Sequence, residues 1–125
     1  MTLICGRVNF FSGPHLVFKY WLRGKFMRII IVGCGKVGSS IASELNLEGH
    51  EISVVDINHG AVDKLANSLD VLGIEGNGAT YDVLIEAGAE YADLLIAATA
   101  RDEINLYSCL MAKAAGVTHT IARVR

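Results

Sequence analysis

Proline is nearly absent from this chain. The only one, Pro14, lies among the first 26 of 125 residues, so nothing in 27–125 carries the residue that breaks helices and interior strands. Cysteine is also scarce. Cys5, Cys34 and Cys109 include no C-x-x-C pair, and no histidine joins them at metal-ligand spacing. A disulfide scaffold and a zinc-type centre are therefore excluded, and reduced, buried thiols are expected. Cys34 is expected to fill a small-residue slot. The first 26 residues hold no uninterrupted run of 18 apolar residues, because Lys19, Arg23 and Lys25 break their best stretch. They also lack the basic-start, apolar-middle, small-residue-end order of a secretory signal. Acidic residues are missing from this segment altogether.

What is present divides at Met27. Residues 1–26 hold four basic residues (Arg7, Lys19, Arg23, Lys25), all four phenylalanines and the only tryptophan. Residues 27–125 hold seven basic residues against all thirteen acids. Such an acidic body speaks against general nucleic-acid binding. The leader shows no sustained helical or strand period, and a strand begins directly at Met27-Arg28-Ile29. Met27 is therefore expected to be the natural start, with 1–26 an atypical basic, aromatic leader. The expected domain is 27–125, truncated at its carboxyl end.

That body alternates strand and helix. Strands are expected over 28–33, 51–56, 71–74, 93–98 and 118–124. Helices are expected over 36–48, 59–69, 81–87 and 102–115, with Asn58 and Thr80 as N-caps and Gly49, Gly88 and Gly116 as stops. Helical crossovers between successive strands imply an α/β, Rossmann-like, doubly wound parallel sheet of order 3-2-1-4-5. Its switch point then lies between the first and fourth strands of the body. The helix over 102–115 is apolar nearly all round, with only Ser108 and Lys113 polar from Leu106 to Ala115, so it is expected to be buried on a second side, either by another copy of the chain or by a missing segment.

The most informative stretch is Ile29-Ile30-Ile31-Val32-Gly33-Cys34-Gly35-Lys36-Val37-Gly38. An apolar strand ends in a glycine-rich turn that opens a helix, where bare N–H groups receive phosphate. Gly33 permits the turn, Gly35 lets a ligand approach the backbone, and Gly38 lets helix and strand pack closely. Asp56 ends the next strand, eighteen residues after Gly38. A carboxylate there accepts hydrogen bonds from ribose hydroxyls and repels a 2′-phosphate, which favours NAD or NADH, or an adenosine nucleotide, over NADP. Asn77 is a candidate adenine contact and Thr99 a candidate phosphate or ribose contact. Lys36 is the only cation in the turn. Arg123 and Arg125, at the carboxyl end of the last strand, are candidates for a terminal phosphate. Asp102 and Glu103 are expected as first-turn acids favoured by the helix dipole, and His50 and His59 as surface residues. No His, Lys or Tyr near the switch point has an orienting partner, so no catalytic residue is assigned and the module is expected not to be an enzyme. The alternative is the cofactor-binding half of an NAD-dependent oxidoreductase.

Several segments in fixed order extend these motifs: Met27 to Gly38, Val54-Val55-Asp56, Gly76-Asn77-Gly78, Ala87-Gly88-Ala89, Ala92-Asp93, Asp102-Glu103-Ile104-Asn105-Leu106 and Ile121-Ala122-Arg123-Val124. With these the body resembles the N-terminal nucleotide-binding (KTN or RCK) domain of TrkA-type potassium-uptake regulators. The resemblance implies a regulatory subunit in the cytoplasm, held at the inner face of the membrane by a potassium transporter. It further implies that NAD(H), or alternatively ATP or ADP, binds and that the domains assemble as dimers within a ring. The family's nucleotide contacts fall on Gly33, Gly35, Lys36, Val37, Asp56, Asn77, Thr99 and Arg123.

Overall fold

The computed structural model describes residues 26–124 in full, together with the backbone of two short strands in the leader, 3–5 and 8–11. In chain order the strands are β1 (Leu3–Cys5), β2 (Val8–Phe11), β3 (Arg28–Val32), β4 (Glu51–Asp56), β5 (Leu72–Glu75), β6 (Leu94–Ala97) and β7 (His119–Arg123). The helices are α1 (Lys36–Leu47), α2 (His59–Ser68), α3 (Tyr81–Glu86) and α4 (Asp102–Ala115), and a single 3₁₀ turn spans Ala89–Tyr91.

Strands β5-β4-β3-β6-β7 run parallel in that spatial order, which is the 3-2-1-4-5 arrangement expected for the body. In this register Ile31 lies between Val54 on one side and Ile96 on the other. The sheet continues past β7, where β2 pairs parallel, from Val8 opposite Thr120 to Phe11 opposite Arg123, and β1 pairs antiparallel with β2. The leader thus contributes two strands that its sequence pattern did not announce. Strands of three and four residues are too short to set a period, and a sheet edge recruits them through backbone hydrogen bonds rather than side-chain alternation.

Central β3 explains why the body folds this way. Ile29, Ile30, Ile31 and Val32 are each no more than 2% exposed, so both faces of the strand are covered. Such a continuous apolar run is the mark of a parallel strand with helices on either side. Ile29 and Ile31 pack with Ile41 and Leu45 of α1 and with Val62 and Leu65 of α2. Ile30 and Val32 pack with Leu84 of α3 and with Cys109 and Ala112 of α4. The two helix pairs therefore cover opposite faces, which makes the sheet doubly wound. Burying each of these aliphatic side chains stabilises the fold by about 1.5–3 kcal/mol.

Local punctuation follows the sequence with two differences. The Asn58 side chain accepts from the Ala61 N–H at 3.0 Å and caps α2. Gly49, Gly88 and Gly116 all adopt positive φ, and Gly116 closes α4. Thr80 precedes α3 but does not cap it. Its hydroxyl instead donates to the Asn77 carbonyl at 2.7 Å, closing the loop before the helix. His50 is not a surface residue. It is 7% exposed, and its Nδ1 accepts from the Met27 N–H at 3.0 Å, so a ring nitrogen satisfies a buried donor where the chain enters the sheet.

Candidate functional site

Helix α1 leaves β3 on one face of the sheet and α4 follows β6 on the other, so a crevice opens between their first turns at the carboxyl ends of β3 and β6. The three glycines at its base answer to three different constraints. Gly33 has φ +109°, and a Cβ there would lie 3.0 Å from the Ala98 carbonyl and the Thr99 nitrogen. A Cβ on Gly38 would lie 1.8 Å from the Gly33 carbonyl oxygen. Both positions are closed by the protein's own backbone. A Cβ on Gly35 would meet nothing within 4 Å, and its φ of −75° suits any residue. Nothing in the fold itself therefore asks for glycine at 35, and the space beside it is open.

The first turn of α1 faces that space without a capping group. Gly35 supplies no side-chain cap, and the first turn holds no acid. Among the described residues the N–H groups of Lys36 and Val37 find no acceptor. The turn is otherwise tightly tied. The Gly33 N–H donates to the Val55 carbonyl at 2.7 Å, the Ser39 N–H to the Gly35 carbonyl at 2.9 Å, and the Ser39 hydroxyl is shared between the Cys34 carbonyl, at 2.9 Å, and that of Gly35. A twelve-residue helix thus presents orphan donors and the positive end of its dipole to the crevice.

Asp56 closes β4 beside this turn. Its Oδ2 accepts from the Cys34 N–H at 2.7 Å and its Oδ1 from the Asn58 N–H at 2.9 Å. The carboxylate expected to meet ribose therefore also fastens the glycine turn to β4, a role that its spacing from Gly38 did not reveal. Each oxygen keeps a lone pair for a further donor. Cys34 is buried, and burial first, then the neighbouring Asp56 charge, pushes its thiol up to about 12. It stays a neutral thiol that packs into the α1 side of the core, in the small-residue slot expected of it.

The crevice is a cleft of about 620 Å³. Gly33, Gly35, Lys36, Val37, Asp56, Asn77, Thr99 and Arg123 all line it. Gly38 stands behind, against the Gly33 carbonyl. Arg125 lies outside the described residues. Asn77 turns its Oδ1 to the Ala79 N–H at 2.9 Å, a side-chain turn that shapes the loop after β5. The Thr99 hydroxyl donates to Asn105 Oδ1 at 2.7 Å, with the Arg101 carbonyl at 3.1 Å as a second acceptor, and it receives the Arg101 N–H at 3.2 Å. These bonds tie it to its own loop and to α4. Asn105, read from the sequence only as part of a motif, is the residue that organises this wall. The signal was available: with Cys109 and Ala112 it falls on the inward register of α4, and a polar side chain there must find buried partners.

Asp102 and Glu103 take their places in the first turn of α4, where the Glu103 N–H and then Arg101 hold the Glu103 carboxyl below its usual range. His59 is exposed beside the Asp56 end of the cleft, paired with Asp63 at 3.0 Å and Glu75 at 2.9 Å. No group of three or more metal-ligating side chains converges among the described residues. A second hollow, of about 960 Å³, opens at the amino end of the sheet between Phe26, His50, Leu72 and Tyr91, away from the glycine turn.

A parallel sheet wound on both faces, with a glycine turn and a strand-end carboxylate meeting in the switch-point cleft, defines a Rossmann-like nucleotide-binding domain. Residues 29–125 match the TrkA-N domain, and the chain belongs to that family. It is 43% identical over 100 residues to the Trk system potassium uptake protein TrkA of Halomonas elongata, and 39% identical over 100 residues to that of Azorhizobium caulinodans. Each alignment covers 79% of this chain but only 22% of the relative, so the chain spans about a fifth of their length. Among solved structures, the Kef CTD of Shewanella denitrificans in its AMP-bound form superposes with a TM-score of 0.66 at 25% identity, over 77% of this chain and 57% of that one.

Proposed function

We propose that this domain is the nucleotide-sensing part of a potassium transport system. It binds NAD or NADH, with ATP or ADP as alternative ligands, in the cleft between Gly33–Gly38 and Asp56. The phosphates lie against the uncapped first turn of α1, with Lys36 and Arg123 as flanking cations, and Asp56 receives the ribose hydroxyls. Asn77 lies at the adenine end. The observation that carries this proposal is the open space at Gly35 beside orphan donors, because the fold gives no other reason for either. The AMP-bound relative supports an adenosine ligand.

Its partner is a membrane potassium transporter, as the Trk naming of the relatives supports. Association with the membrane is peripheral, at the cytoplasmic face, through that transporter; among the described residues no helix is long and apolar enough to cross a membrane. Regulation is differential. Two nucleotides shift a homodimer or ring between geometries only if their affinities for those geometries differ. The dimer contact is the outer face of α4, where Leu106, Tyr107 and Leu110 are 36%, 57% and 56% exposed. The cofactor half of an oxidoreductase is the weaker reading, since among the described residues neither His nor Tyr lines the cleft.

Thermal denaturation in the presence of NAD, NADH, NADP, ATP and ADP tests the proposal. A ligand at 100 times its Kd stabilises the fold by about 2.7 kcal/mol. NAD(H) or the adenosine nucleotides raise Tm and NADP does not. An unchanged Tm with all five sinks the nucleotide assignment.

A further inference from the structure

Asn105 makes every hydrogen bond its side chain can make. It is 0% exposed and stands behind the cleft wall rather than on it. Its Oδ1 accepts from the Thr99 N–H at 2.9 Å and from the Thr99 hydroxyl at 2.7 Å. Its Nδ2 donates to the Thr99 carbonyl at 3.2 Å and to the Arg123 carbonyl at 2.9 Å. Two lone pairs and two N–H groups are all in use. The amide orientation is fixed by its partners, because a backbone N–H only donates and a carbonyl only accepts.

The partners come from two distant places. Thr99 belongs to the loop after β6, and Arg123 ends β7; together they form the cleft wall opposite the glycine turn. Thr99 also exchanges hydrogen bonds with Arg101 in its own loop, but those bonds do not reach α4 or β7. Asn105, on the fourth residue of α4, is the common point of attachment. We propose that Asn105 is the positioning residue of this cleft, fastening the loop after β6 and the end of β7 to α4 so that wall and helix move as one body. Displacement of the wall by a ligand then turns α4, and with it Leu106 and Leu110 one and five residues further along the same helix. The identity of the ligand rests on the nucleotide assignment above; the lock itself does not.

Asn105→Asp tests this at constant shape. The new carboxylate still accepts from Thr99, but its second oxygen faces the carbonyls of Thr99 and Arg123 in place of a donor. Titration with NADH and with ADP, and amide hydrogen exchange without ligand, are measured on the full chain. Exchange at Thr99 and Arg101 is expected to quicken at least tenfold while Ile31 and Leu95 keep their rates, and the Kd is expected to rise at least tenfold. Thr99→Val weakens binding in the natural background and adds nothing in the Asn105→Asp background, because both break one lock. A natural chain that binds neither ligand overturns the nucleotide assignment, and the exchange result still decides on Asn105. A chain that binds, with exchange and Kd unchanged by Asn105→Asp, overturns the lock alone. If Asn105→Asp does not fold, Thr99→Val alone decides: the N–H of residue 99 keeps Asn105 Oδ1 as its acceptor, so faster exchange at residue 99 supports the lock and an unchanged rate there overturns it.

Discussion

Gly35 and Gly38 stand three residues apart, yet substitution should separate binding from folding between them. Gly35→Ala places a methyl group in the cleft at an ordinary φ. Its cost to stability is that of alanine at an N-cap, less than about 1 kcal/mol. The expected outcome is a nearly unchanged Tm and at least a tenfold loss of NADH or ADP affinity by calorimetric titration; retained affinity would remove the main support for the site. Gly38→Ala drives a Cβ into the Gly33 carbonyl, 1.8 Å away, and should destabilise the fold by about 3 kcal/mol in urea titration. Asp56→Ala should do both, since it frees the Cys34 and Asn58 N–H groups as well as removing the ribose acceptor. This double duty was invisible in the sequence: spacing places a carboxylate at the end of β4 but says nothing of the backbone N–H across the turn. For Asn105 the inward register was legible but the partners were not, because three of the four are backbone groups, 6 and 18 residues away, that carry no side-chain signature.

Elements were more legible than their contacts. The glycine stops and the Asn58 cap set helix ends within a residue or so, because caps act over one turn and the sequence shows the whole turn. The 3₁₀ turn at Ala89–Tyr91 and the leader strands were not legible, being three or four residues long and fixed by where the chain must travel. Helix α4 lies between these cases. Its apolar composition announced two buried faces, but only the structure divides them: Cys109 and Ala112 go to the sheet, and Leu106, Tyr107 and Leu110 remain outside. If the outer face joins two copies, Leu110→Glu should turn a concentration-dependent dimer into a monomer in sedimentation while leaving Tm nearly unchanged. A monomer in the natural chain at high concentration would refute the contact.

At the scale of the whole molecule, two buried thiols among the described residues make stability depend on alkaline pH. Burial pushes Cys109 up to about 12, with a smaller opposing hydrogen bond involving Thr120, and Cys34 rises to about 12 as described above. Both start from 9.0. Between pH 9 and 12 the unfolded chain has lost these protons while the folded chain keeps them, so stability falls with pH, by up to about 1.4 kcal/mol per pH unit for each thiol. Below pH 9 neither thiol contributes a slope. Urea midpoints of the natural chain and of Cys109→Ala between pH 7 and 10.5 should diverge below pH 9 by a constant and converge above it. Parallel curves throughout would show that Cys109 titrates as it does in the unfolded chain. Fold class and strand order were the most legible features at this scale, because β3 is apolar on both faces and the crossovers leave few ways to cover it.

The pairing of β3 with β6 sets a timetable for the site. Ile29 meets Leu94, 65 residues further on, and the two walls of the cleft come from 33–38 and from 99–123. A chain emerging from the ribosome completes the glycine turn early but cannot hold a ligand until β7 has been made and docked. The loop that must close is long, and its entropy is lost before the cleft can return anything for it. Ligand should therefore slow unfolding of the finished domain and leave the rate of its folding almost untouched.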